Sequence, residues 1–119
     1  MKCVQLPVPL VTGQSIGANY TSPSINVVEV DVCGIQINYT GSSPVGAFSV
    51  QASNDNVSFA TIPLSVNGTV VTSLAVPASS SPIVLDIITG SLCYLQVVYA
   101  FTSGTGTMTI ITTKKRLGD

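Results

Sequence analysis

The sequence predicts an all-β protein, an antiparallel β-sandwich of jelly-roll-like design with eight or nine strands. Three observations carry this. Apolar and polar residues alternate with period 2 at 35–40 and 47–53, as in strands with one buried face. Gly, Pro and Asn clusters interrupt the chain roughly every ten to fifteen residues, the spacing of sandwich turns. Strong helix formers are scarce while Val, Ile and Thr are abundant, so no crossover helix is expected and the sheets should be antiparallel.

Each element follows from local chemistry. Residues 4–11 read as an extended edge segment, because Pro7 and Pro9 lack the N–H groups a central strand requires. Residues 12–24 are a loop rich in Gly, Ser, Asn and Pro. Residues 25–32 alternate, with Ile25, Val27 and Glu29 on one face. In 34–40, Ile35, Ile37 and Tyr39 oppose Gln36, Asn38 and Thr40. Gly41 to Gly46 reads as a turn, followed by a strand over 47–53 with Phe48, Val50 and Ala52 inward.

Ser53-Asn54-Asp55-Asn56 reads as a tight turn, since Asn and Asp tolerate positive φ and bond to their own backbone. Residues 59–64 form a short strand. Asn67-Gly68 between apolar runs is a strong hairpin signal, leading into a strand over 70–76. A loop over 78–82 precedes a strand over 83–88. Leu92 to Phe101 is the longest apolar run and suggests a strand buried on both faces. Ser103-Gly104-Thr105-Gly106 reads as a second hairpin turn, and 107–113 as the last strand.

At 119 residues the chain suits one domain with a core of its own. The organisation expected is an extended N-terminal arm over 1–11, a single sandwich over 12–113 and a basic tail over 114–119. Charged residues are only 8% of the chain, against about 25% in ordinary globular proteins. Ser, Thr, Asn and Gln take their place. Such a surface packs readily against neighbours, because burying a hydroxyl costs much less than burying an ammonium or carboxylate.

The charge distribution excludes several functions. No Lys or Arg lies between Lys2 and Lys114, so the body lacks the basic patch that nucleic-acid binding requires. Lys114, Lys115 and Arg116 read either as a solvated tail or as a tail that pairs with an acidic neighbouring subunit. No apolar stretch approaches the ~20 residues of a membrane-spanning helix. The segment 4–11 is too short and too interrupted for a signal peptide, so synthesis and folding in a cytoplasm are expected. The Asn-x-Ser/Thr triplets at Asn19, Asn38, Asn56 and Asn67 then carry no meaning beyond composition.

Catalysis is not expected. The chain has no histidine, which removes Ser-His-Asp and Cys-His arrangements. Glu29 and Asp31 share a strand face, a spacing that by itself is a weak sign of acid–base chemistry. Asn54-Asp55-Asn56 has too few acids for a calcium loop. Gly104-Thr105-Gly106 is followed by no helix and is no phosphate loop. Cys3, Cys33 and Cys93 are odd in number and show no C-x-x-C spacing, so free thiols and no metal or cofactor are expected.

Two segments carry a resemblance. One is Gly46-Ala-Phe-Ser-Val-Gln-Ala-Ser-Asn-Asp55, preceded by Ile35-Gln-Ile-Asn-Tyr-Thr-Gly41 and followed by Phe59. The other is Tyr94-Leu-Gln-Val-Val-Tyr99 running into Ser103-Gly-Thr-Gly-Thr-Met108. Together they resemble a group of small β-sandwich virion proteins of tailed bacteriophages, of the capsid-decoration or head-fibre-base type. More loosely they resemble discoidin-like jelly rolls. Phe59 stands where those patterns commonly have Trp, and Gln96 where they commonly have Arg, so no ligand-binding Arg carries over.

The resemblance implies a non-enzymatic structural protein of the virion, a capsid-decorating or minor head component that works through protein–protein contacts. Other virion proteins would be its partners, and a homo-oligomer, guessed as a trimer, its form. The contact residues expected are Val4, Leu6, Val8 and Leu10 on the arm and Lys114, Lys115 and Arg116 on the tail. The alternative is a carbohydrate- or receptor-binding module of a tail or fibre, with Asn19, Tyr20 and Asn54 as loop candidates.

Overall fold

The computed structural model describes residues 2–28, 30–66, 69–76, 83–89 and 92–116. The period-2 patterning is realised as ten strand segments, all antiparallel where they pair, and the described residues contain no helix. They are β1 (Lys2–Ser15), β2 (Tyr20–Thr21), β3 (Ile25–Asn26), β4 (Val32–Ser53), β5 (Ala60–Thr61), β6 (Leu64–Val66), β7 (Thr69–Val71), β8 (Leu74–Val76), β9 (Ile83–Ile88) and β10 (Tyr94–Arg116). The fold is all-β and sandwich-like, as the sequence predicts.

The frame is a ribbon of two very long strands. β4 and β10 pair from Tyr94↔Ser53 at one end to Lys115↔Val32 at the other. The segments Gly41–Gly46 and Ser103–Gly106, expected as turns, are instead corners at which this ribbon bends. The register there runs Phe101↔Gly46, Ser103↔Val45, Thr105↔Ser42. Thr102 is therefore an extra residue on β10, and one residue of 43–44 is extra on β4. One added residue reverses which parity of a strand faces inward. Tyr99 and Phe48 point into the core before the corner; Met108 and Tyr39 do so after it.

Two glycines let the corner form. Gly41 and Gly106 face one another across the ribbon. A Cβ on Gly41 would collide with the Thr105 carbonyl oxygen, and one on Gly106 with that of Thr40. The Gly106 carbonyl also accepts a bond from the Ile16 N–H at 3.0 Å, which ties the end of β1 to the corner.

The bend divides the sheet into two halves that share one core. One half has the order β1, residues 107–116 of β10, residues 32–40 of β4, then β9. The other places β2 and β3 beside the first part of β10, and β5 and β8 beside the second part of β4. Ile35, Ile37 and Ile110 from the first half meet Phe48, Leu95 and Val97 from the second. Burying each such side chain contributes about 1.5–3 kcal/mol. Phe48 stacks obliquely on Tyr99 with ring centroids 4.9 Å apart, and the Tyr99 hydroxyl donates to the Val45 carbonyl at 3.3 Å.

Several local expectations change. Residues 92–101 alternate rather than being buried on both faces: Leu95, Val97 and Tyr99 are buried, while Tyr94, Gln96 and Val98 are half-exposed. The strand read over 25–32 is confined to β3, although Ile25 and Val27 are both buried; Glu29 lies outside the described residues. The segment 70–76 is broken into β7 and β8. The hairpin residues Asn67 and Gly68 also lie outside the described residues. The flanking strands pair Val66↔Thr69 and Leu64↔Val71, the register a two-residue connection produces.

The arm and the tail are paired with each other. β1 joins the edge of β10 with Lys2↔Arg116, Cys3↔Lys115 and Gln5↔Lys114. Residues 114–116 are thus the end of a strand rather than a solvated tail, and residues 2–11 form an edge strand of the chain's own sheet. The prolines on 4–11 suit that edge, as expected.

Candidate interaction surface

The expected contact residues divide into distinct environments. Val8 is 41% exposed, whereas Leu10 packs partly buried against the core. The side chains of Val4 and Leu6 lie outside the described residues. Lys114 and Arg116 are half-exposed and Lys115 is exposed, all at one end of the first half-sheet. Because β1 is bonded to β10, the arm and the basic residues meet at one end of the half-sheet, with Lys115 on the face opposite Lys114 and Arg116.

The structure adds residues that the sequence reading did not single out. On the half-sheet β1–β10–β4–β9 the outer face is built in cross-strand rows. Ile111 pairs with Gln36 and Gln36 with Val84; Thr113 pairs with Gly34 and Gly34 with Asp86; Lys115 pairs with Val32 and Val32 with Ile88. Val84 is 67% exposed and Ile88 78% exposed. The alternation Ile83-Val-Leu-Asp-Ile-Ile88 was the signal, with Asp86 between two outward apolar residues.

Gly34 leaves a slot in the middle of this face. Pro7, Val84, Ile111 and Thr113 border one part of it; Asp86, Thr113 and Lys115 border the other. A Cβ at Gly34 would lie 2.6 Å from the Thr113 hydroxyl, which would have to turn aside to admit a side chain. Gln36 donates to Asn38 at 3.0 Å, which fixes both amides on the same face. Beneath it, burial pushes the Cys33 thiol up to about 11; Lys114 pulls it down and Asp86 adds to the rise. A thiol held so strongly in its neutral form is a poor nucleophile.

A second hollow of about 420 Å³ lies between β9 and residues 62–64, lined by Ile62, Leu64, Leu85, Ile87 and Leu92. Asp86 is the sole ionisable group among the described residues that line it. The hollow is apolar and carries no paired acid and base among the described residues.

The polar loop residues are engaged in holding the fold. Ser53 Oγ accepts from the Asn56 N–H at 3.0 Å, and Asp55 Oδ1 accepts from the Val57 and Ser58 N–H groups at 2.9 Å each. Asn56 takes a φ of 60°. The bond from Ser58, then that donated by the Ser53 hydroxyl at 2.7 Å and that from Val57, hold the Asp55 carboxyl down at about 2. The turn expected at 53–56 is therefore present, with Asp55 as its cap. Asn54 accepts from the Cys93 N–H at 3.1 Å, Asn19 from the Phe101 N–H at 2.7 Å, and Tyr20 packs against the core. In place of an Arg, Gln96 donates to Gln51 at 2.6 Å.

Comparison with known proteins gives a likeness of fold. No protein-family model matches the chain, and no curated protein matches its sequence. Among solved structures, the SPBc2 prophage-derived protein YomS matches with a TM-score of 0.67 at 10% sequence identity, over 95% of this chain and 96% of that one. Nearly the whole of each chain takes part, so the two share one architecture from end to end.

Proposed function

We propose that this chain is a non-enzymatic structural protein of a bacteriophage particle, a capsid-decorating or minor head component that acts through protein–protein contacts. The observation that carries the reading is the end-to-end likeness to a prophage-derived protein of nearly the same extent. The chemistry of the surface supports it. Charged side chains are few, so packing against a neighbour involves little charge desolvation and little loss of long-side-chain entropy. The outer face of β1, β10, β4 and β9 presents exposed Val84 and Ile88 on one antiparallel sheet.

The glycan-binding alternative draws less support. Asn19 and Asn54 use their side-chain oxygens to accept backbone N–H groups, while Tyr39 and Tyr99 lie in the core. The test is quantitative mass spectrometry of purified particles from cells that carry the gene. Recovery at a fixed copy number per particle, resistant to washing, is expected. Absence from the particles despite expression in the cell overturns the proposal.

A further inference from the structure

We propose that the outer face of the β1–β10–β4–β9 half-sheet is a homotypic interface, in which a second copy of this chain lies face to face across Gly34. The inference deepens the reading of the chain as a protein–protein contact module, and rests on it. It is carried by the self-complementary arrangement of that face. Its carboxylate, Asp86, is on β9, and its exposed ammonium, Lys115, is on β10 on the far side of β4.

A two-fold axis lying in the face along β4, over Gly34, exchanges the two sides. Each β9 then covers the partner's β10, because both strands neighbour β4 at about 4.8 Å. Rows stay level under this operation. Val84 comes over the Ile111 of the second copy, apolar on apolar. Asp86 comes over its Thr113, whose hydroxyl donates to the carboxylate. Lys115 lies one row further, about 6.8 Å along the strand, within reach of a lysine side chain. The missing side chain at Gly34 lets the two copies of β4 approach on the axis. A two-fold contact is isologous, so each of these pairings occurs twice. A two-fold axis across the strands at Gly34 would instead place β9 on β9 and set Asp86 against Asp86.

The test is sedimentation equilibrium of the full chain over a hundredfold range of concentration, with four proteins. The wild type is expected to pass from one copy to two. Asp86→Lys is expected to shift the midpoint at least tenfold toward the monomer, by setting like charges together. Asp86→Lys combined with Lys115→Glu is expected to return the midpoint to within about threefold of the wild type. Val84→Lys, at an exposed position, is expected to weaken association independently of Asp86. Circular dichroism confirms that each variant keeps the strand spectrum; should a charge variant fail to fold, Val84→Lys decides alone. A monomeric wild type, a three-copy assembly, an unshifted Asp86→Lys or Val84→Lys, or a charge swap without rescue each overturns the interface. Particle incorporation is scored separately: a monomeric chain that still enters particles refutes this interface and leaves the virion assignment standing.

Discussion

Replacing Gly41 by Ala should be among the most damaging single changes available outside the core. Gly41 sits at φ +153° opposite Gly106, and a Cβ there would collide with the Thr105 backbone carbonyl. Backbone cannot rotate aside as a side-chain end can, so the two long strands must part at the corner. The backbone conformation itself costs an L-residue about 1–3 kcal/mol. Parting the strands removes at least one ladder hydrogen bond, worth about 1 kcal/mol. The expected loss is about 3 kcal/mol, a large part of the ~5–15 kcal/mol that stabilises a typical domain. Gly13→Ala is the control: Gly13 has φ +64° but nothing within 4 Å of its would-be Cβ. It should lose only the conformational part, about 1–2 kcal/mol. Urea unfolding read by circular dichroism measures both, and the Gly41 variant should melt about 12 °C lower than the wild type. If Gly41→Ala costs no more than Gly13→Ala, the corner does not depend on a bare backbone and the reasoning fails.

Three further outcomes are expected. Leu95→Ala, at a fully buried position in β10, should cost about 2–5 kcal/mol in the same urea assay. Asp55 has its carboxyl lowered from the usual 3.8 to about 2 by the turn it caps, so its contribution is present above about pH 4 and disappears as pH falls toward 2. The melting temperatures of wild type and Asp55→Ala should therefore differ at pH 6 and converge near pH 2; a gap independent of pH would remove Asp55 from the cap. In native protein at pH 8, Cys93 should react with a thiol reagent well before Cys33, which is buried and raised to about 11. Equal rates by peptide mapping would contradict the burial of Cys33.

Strand existence was legible because it depends on neighbours in sequence. The alternation at 35–40 and 47–53 survives as the two arms of β4, with Ile35 and Ile37 and then Phe48 and Val50 inward. The corner was not legible. Gly41–Gly46 and Ser103–Gly106 have turn composition, and only their pairing with each other makes them a bend in a continuous ribbon. Leu92 to Phe101 misled for a related reason: its outward residues Tyr94, Val98 and Ala100 are apolar, so the pattern does not betray which face meets solvent.

The proposed contact surface was half legible. Pro7 and Pro9 announced an edge, and Val8 is indeed exposed there. That the basic residues 114–116 pair with 2–5 is a contact between the two ends of the chain, which no local pattern records. The outward row Val84, Asp86 and Ile88 lay in plain view as an alternating strand. Its meaning needed the register that sets Asp86 across Gly34 from Thr113, one row from Lys115.

The measurement that bears most directly on the account is a cryo-electron-microscopy reconstruction of particles from cells carrying the gene. The account predicts density for the bent β4–β10 ribbon, repeated on the head or at a head vertex, with the Val84–Ile88 face covered by protein. A reconstruction at comparable resolution that leaves no density unassigned to other proteins, with the chain recovered only from the surrounding lysate, would contradict it.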